Sequence, residues 1–199
     1  MTDESPPPLR VPVTYAPRRR GDWNGVAAVI AAAVGLLALC VSGYTAYLQR
    51  QQVRAQVWPY LEVGNDDGDQ SLDVYNKGVG PAIIGNAQVF VDGKPLPDWN
   101  HVLPALGISP RSFRQSTLNP GVFAPNEQQK MIKFPDKDKW EQFRAAAEKR
   151  MTMDICFCST LGECWMYRDR HPVGYKELGQ LVTPIGQCPR LPEADVFNN

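Results

Sequence analysis

The run from Val26 to Leu48, VAAVIAAAVGLLALCVSGYTAYL, holds 23 residues without one Asp, Glu, Lys, Arg or His. As an α-helix it would be about 35 Å long, slightly more than the ~30 Å hydrocarbon core of a bilayer. A soluble core helix can be apolar all round but rarely avoids charge for so long, so the run predicts a transmembrane helix with the lipid bilayer as its partner over 26–48. Trp23 at one end and Tyr44 and Tyr47 at the other suit the interfacial aromatic belts. A cleaved signal peptide is the nearest competitor, because Arg18, Arg19 and Arg20 precede the run. Secretory apolar regions are usually ~7–15 residues. This one is longer and ends in bulky side chains, which fits an uncleaved signal anchor.

The span divides the chain into four expected segments. Residues 1–22 carry five prolines and little apolar periodicity, so they predict a disordered tail. The transmembrane helix covers 23–48. Good helix formers over 49–57 predict a helical extension or linker, stopped by Pro59. Residues 58–199 are long enough for one compact domain.

Orientation follows from the flanking basic residues. Arg10, Arg18, Arg19 and Arg20 precede the span, whereas Arg50 and Arg54 follow it. Four against two predicts a cytoplasmic N-terminus and a periplasmic C-terminal domain at a bacterial inner membrane. Within the span, Ala27, Ala31 and Gly35 recur every four residues, the spacing that would serve a homodimer through the membrane helix. Ala and Gly are also simply common in membrane helices. Cys40 lies in the same run as a small apolar residue.

Whole-chain charge excludes one function class: 21 basic and 21 acidic residues leave no excess of cations to neutralise nucleic-acid phosphates.

Period-two alternation marks strands in the domain, at Leu61/Val63, Leu72/Val74, Val89/Val91 and Met151/Met153/Ile155/Phe157. Asn65-Asp66-Asp67-Gly68-Asp69, Asn76-Lys77-Gly78-Val79-Gly80-Pro81 and Asp92-Gly93 mark turns. Gly78 and Gly80 can adopt positive φ in a tight connection. One amphipathic helix is predicted after Asp136, with Trp140, Phe143 and Ala147 on one face. A shorter helical turn is expected around Trp99 to Leu103, inside a proline-rich insertion from about Lys94 to Gly121. Together these predict a mainly β domain with one or two short helices, preceded by a single transmembrane α-helix.

The succession of Trp58-Pro59-Tyr60, Asn76-Lys77-Gly78-Val79-Gly80-Pro81-Ala82, Phe123-Ala124-Pro125-Asn126-Glu127 and Cys156-Phe157-Cys158 resembles uncharacterised bacterial single-pass membrane proteins with an immunoglobulin-like extracytoplasmic β-domain. Asn126 stands where that pattern usually has Gly. The resemblance covers roughly Trp58 to Trp165 and implies an immunoglobulin-like β-sandwich, with no established activity.

Four cysteines lie outside the span. Cys158 and Cys164 flank five residues, so a hairpin centred on Leu161 sets them opposite each other. Cys156 shares their face, and Cys188 remains as its partner. The expected bridges are Cys158 with Cys164 and Cys156 with Cys188, one of the three pairings that four cysteines allow. On a loop-entropy basis they would contribute ~2.4 and ~3.7 kcal/mol. Such cysteines also imply an oxidising compartment. Cys-x-Cys departs from zinc-ligand spacing, and no metal or cofactor is expected.

Other chemistry finds little foothold. Setting Gly68 on the invariant glycine of an EF-hand puts Val63 and Val74 where carboxylates are required. Neither His101 nor His171 lies in a recognisable catalytic motif. The reading is a non-enzymatic interaction module that binds a protein partner or supports an envelope assembly. Two alternatives stand beside it: a thiol-disulfide oxidoreductase using Cys156 and Cys158, and a small-ligand receptor in the 94–121 loop with Trp99 and His101 as its first contacts.

Overall fold

The computed structural model describes residues 23–109, 113–116, 118, 121–169 and 181–198. The expected tail at 1–22, His171 and part of the 94–121 insertion lie outside the described residues. The chain divides into two compact units between Leu48 and Gln49.

Helix α1 (Trp23–Gln56) carries the whole apolar run. Its most apolar 18-residue window has a mean hydropathy of 2.5 and none of that window is buried, so it is long and apolar enough to serve as a single membrane span or signal anchor. The helix is about 51 Å long at ~1.5 Å per residue. It therefore continues past the charge-free run, and Gln49 to Gln56 belong to the second unit. Val57 closes it by donating to the Val53 and Arg54 carbonyls, and Pro59 cannot extend it.

The second unit is built from antiparallel sheets. The first orders β1 (Leu61–Asp66), β2 (Ser71–Asn76), β7 (Gln128–Lys133) and β5 (Arg114–Gln115). The second orders β10 (Val182–Ile185), β9 (Cys164–Arg168), β8 (Met151–Cys158), β3 (Ala82–Val91) and β4 (Lys94–Leu96), with β6 (Val122–Phe123) also paired to β3. The alternating residues face one core: Leu61, Leu72 and Val74 from the first sheet meet Val89, Met153, Ile155 and Phe157 from the second. Asp92 and Gly93, with φ of 50° and 78°, form the two-residue turn between β3 and β4. That is the backbone a right-twisted hairpin requires.

Two helices complete the core. Helix α2 (Trp99–Ala105) starts at Asp98, whose carboxylate accepts from the His101 N–H. Helix α3 (Lys137–Arg150) starts at Asp136, which accepts from the Asp138 N–H, and buries Trp140, Phe143 and Ala147. At its other end Arg150 pairs with Asp92, placing a cation where the helix dipole favours one.

The described residues are 36% helix and 33% strand. The chain is thus mixed rather than mainly β, because α1 alone contributes 34 residues. The C-terminal stretch, irregular by its sequence pattern, contributes β10 and a core side chain. Phe197 is buried, its N–H donates to Ala87 O, and its ring meets Trp99 edge-on at 5.2 Å.

Candidate functional site

Asn76 organises the end of the domain where the chain enters. Its Oδ1 accepts from the Tyr60 N–H (3.3 Å) and the Gly78 N–H (3.0 Å). Its Nδ2 donates to Gly80 O (2.8 Å), Phe123 O (3.2 Å) and Ala124 O (3.2 Å). The side chain is wholly buried, and a buried amide keeps its place only when both ends are satisfied. Gly78 and Gly80 serve the same junction. Neither uses the positive φ open to glycine. Their need is space: a Cβ on Gly78 would overlap the Pro59–Tyr60 backbone and one on Gly80 the Val57 backbone. Asn126 does adopt positive φ (62°), a conformation Asn tolerates better than most non-glycine residues.

The β8–β9 hairpin lies beside this junction. Arg54, in the last turns of α1, pairs with Glu163 in the hairpin loop at 2.8 Å. Cys158 is bonded to Cys164, its direct cross-strand partner. Cys156 is bonded to Cys188. Register explains what the second bridge does. Ile155 and Phe157 face the core, so Cys156, between them, points to the opposite face of the sheet. Cys188 therefore pins the C-terminal stretch across that outer face. Two further bonds continue the track: Asn86 Nδ2 donates to Pro189 O (2.7 Å), and Gln88 Nε2 donates to Asp195 O (3.2 Å).

Cys188 lies against Cys158 in the next row of that face, where Cys164 is buried, and only the β6–β3 end of the row is exposed. Val122, Ile83, Cys158, Cys164 and Ile185 are successive lateral partners across β6, β3, β8, β9 and β10. Val122 is 62% exposed and Ile83 39%. Leu161 projects from the hairpin tip at 49%, while Trp58 and Val79 are exposed on the neighbouring junction. Val122 and Ile83 are direct cross-strand partners, so their exposed side chains form one small apolar patch on the sheet.

The remaining candidate residues separate when placed in the fold. Trp99 has no exposed surface; its ring packs on Phe143 and Phe197. Burial takes it out of the role of a ligand contact. His101 is exposed and its Nδ1 lies 2.8 Å from the Asp98 carboxylate that caps α2, so the two candidates do not share a pocket wall. Ala27, Ala31 and Gly35 lie exposed along α1. Cys156 and Cys158, the alternative redox pair, are each bonded elsewhere.

Charged groups form structural pairs around the domain. Asp67 accepts from Trp140 Nε1 (2.9 Å) and from Arg144, and the Arg144 guanidinium, followed by the indole, holds its carboxyl below the usual range. Lys130 bridges Asp69 (2.6 Å) and the buried Asp73 (3.7 Å). A cavity of about 340 Å³ between β1, α3 and β9 is lined in part by Val63, Leu72, Arg144, Glu148, Tyr167 and Asp169. Burial pushes the Tyr167 hydroxyl far above its usual range, so it stays protonated at any physiological pH.

Neither the covered outer face nor the Arg54–Glu163 pair is legible in the sequence, since both depend on register across distant strands. No protein-family model, curated protein or solved structure matches the chain.

Proposed function

We propose that this chain is a membrane-anchored interaction module without catalytic activity, which displays an immunoglobulin-like β-sandwich in the bacterial periplasm and binds a protein partner or supports an envelope assembly. The arginines before the span and the disulfides beyond it support that orientation. The observation that carries the reading is the exposed cross-strand pair Val122 and Ile83 on the disulfide-bridged sheet. Its rigidity matters as much as its polarity: a surface already fixed by two bridges loses little conformational freedom on binding.

Site-specific photo-crosslinking tests this. A photoreactive residue at Val122 in the intact chain, in native membranes, should give a discrete protein adduct, whereas one at exposed Glu141 on α3 should not. Equal labelling at both positions, or no adduct at Val122, would overturn the reading.

A further inference from the structure

The four extramembrane sulfurs form one cluster rather than two independent bridges. Cys158 Sγ lies 3.7 Å from Cys188 Sγ, although each is bonded to another partner. The sulfurs of Cys158, Cys164 and Cys188 all lie within 4.8 Å of one another. Cys156 is fully buried, whereas Cys158 is half-buried.

From this we infer that Cys188 is a shared partner: the domain is a thiol–disulfide exchange site in which the Cys188 sulfur passes between Cys156 and Cys158. The co-reactant is a dithiol. In the first step the dithiol reduces the Cys158–Cys164 bond, supplying two electrons and two protons, and is itself oxidised to its disulfide. Two thiols result, at Cys158 and Cys164. Next, Cys158 loses its proton and the thiolate attacks Cys188 Sγ. The Cys158–Cys188 bond forms as the Cys156–Cys188 bond breaks, and Cys156 leaves as a thiolate that takes up the proton. This second step is an exchange with no net oxidation.

Three observations support the step. The attacking sulfur already sits at van der Waals distance from its target, so the strands need not separate. The loops closed by the two alternative bonds differ by only two residues, because Cys156 and Cys158 are next-but-one neighbours, and loop-closure entropy therefore favours neither. Gly85 opposite the cluster has no side chain, and the space this leaves is occupied by Cys188. Exchange moves the tether of the C-terminal stretch by one strand repeat and keeps it attached, while freeing the thiols of Cys156 and Cys164.

The test uses the full chain in detergent micelles at mildly alkaline pH, where a thiol with the ordinary pKa of ~8.5 is partly ionised. In Cys164→Ser, made without reductant, Cys158 has lost its usual partner while Cys156–Cys188 can still form. Alkylation followed by fragmentation of the 151–168 peptide should find Cys156 and Cys158 both labelled, in fractions within about tenfold of each other, as near-equal loops imply. Label on Cys158 alone would overturn the inference. A second measurement needs no variant. Wild-type chain given one equivalent of dithiothreitol, then alkylated, should contain molecules labelled at Cys156 and Cys164 together. Labelling confined to the pairs Cys158 with Cys164 or Cys156 with Cys188 would show two independent bridges and overturn it too.

Discussion

Gly85 makes room for Cys188: a Cβ on Gly85 would lie 2.6 Å from the Cys188 Sγ and 2.9 Å from its Cβ. Gly85 sits at the irregularity in the β3–β8 register, between Ile84 and Asn86. Gly85→Ala should overpack this site and cost about 1–3 kcal/mol, read as a lower Tm of the full chain under non-reducing conditions. In a Cys188→Ala background the same substitution should cost less, because the obstructing sulfur is gone. Equal costs in the two backgrounds would mean that the sulfur is not what Gly85 accommodates.

Gly80 and Gly93 should respond to alanine for different reasons and by different amounts. At Gly93 the added Cβ meets open space, and the penalty comes only from φ of 78°, about 1–2 kcal/mol. At Gly80 the Cβ would overlap the Val57 backbone, which no rotamer change relieves. Gly80→Ala should therefore be the more damaging of the two in urea unfolding. The opposite order would mean that the entry segment can move away from the 76–80 turn.

Removing the Asn76 amide should leave the backbone groups of Tyr60, Gly78, Gly80 and Phe123 short of a partner. Asn76→Ala is expected to cost about 2–4 kcal/mol, since each orphaned buried group carries roughly 1–3 kcal/mol and some regain water. Asn76→Asp should be no better, because a carboxylate would face three carbonyl oxygens in place of the donating Nδ2. Urea midpoints of the two variants check both statements.

What the sequence makes legible is local. Helix α3 declares itself through Trp140, Phe143 and Ala147 at helical spacing behind a capping Asp136. The facing of Cys158 and Cys164 follows from five intervening residues in one hairpin. The glycines of the 76–80 turn stand out by type, but the local reason their type suggests, positive φ, is not the one that operates, and the clash with Val57 needs the fold. Gly85 cannot be singled out at all, because what fills its space is 103 residues further along. Trp99 reads as a ligand contact because it lies in a proline-rich insertion. Its burial depends on Phe197, which lies in a stretch with no periodicity to announce it.

Acid should weaken the domain partly through Asp67. Its hydrogen bond from Arg144, then that from Trp140, lowers its folded-state pKa from the ordinary 3.8. A carboxylate so shifted contributes fully above the unfolded value, and the contribution is lost as pH falls through the lowered folded-state value. Asp69, lowered by Lys130 and then Lys133, and Asp92, lowered by Arg150, act in the same sense. Asp67→Asn should thus flatten the fall of Tm below about pH 4 without abolishing it. An unchanged acid limb in this variant would remove Asp67 from the account.

Neighbouring residues of α2 should separate sharply on substitution. Trp99 is fully enclosed by a core that includes Phe143 and Phe197, so Trp99→Ala should cost about 3–5 kcal/mol. Asp98 caps the helix through the His101 N–H, and Asp98→Ala should cost about 1 kcal/mol. The His101 side chain is exposed and, among the described residues, adds only its pairing with Asp98, so His101→Ala should stay within about 0.5 kcal/mol of the parent. Trp99→Phe is the informative intermediate. It loses area but also removes a buried Nε1–H that has no hydrogen-bond partner among the described residues, so its cost should fall well below that of alanine. If Trp99→Ala instead melted with His101→Ala, Trp99 would have to sit at the surface, within reach of a ligand, and the core around Phe197 would need another anchor.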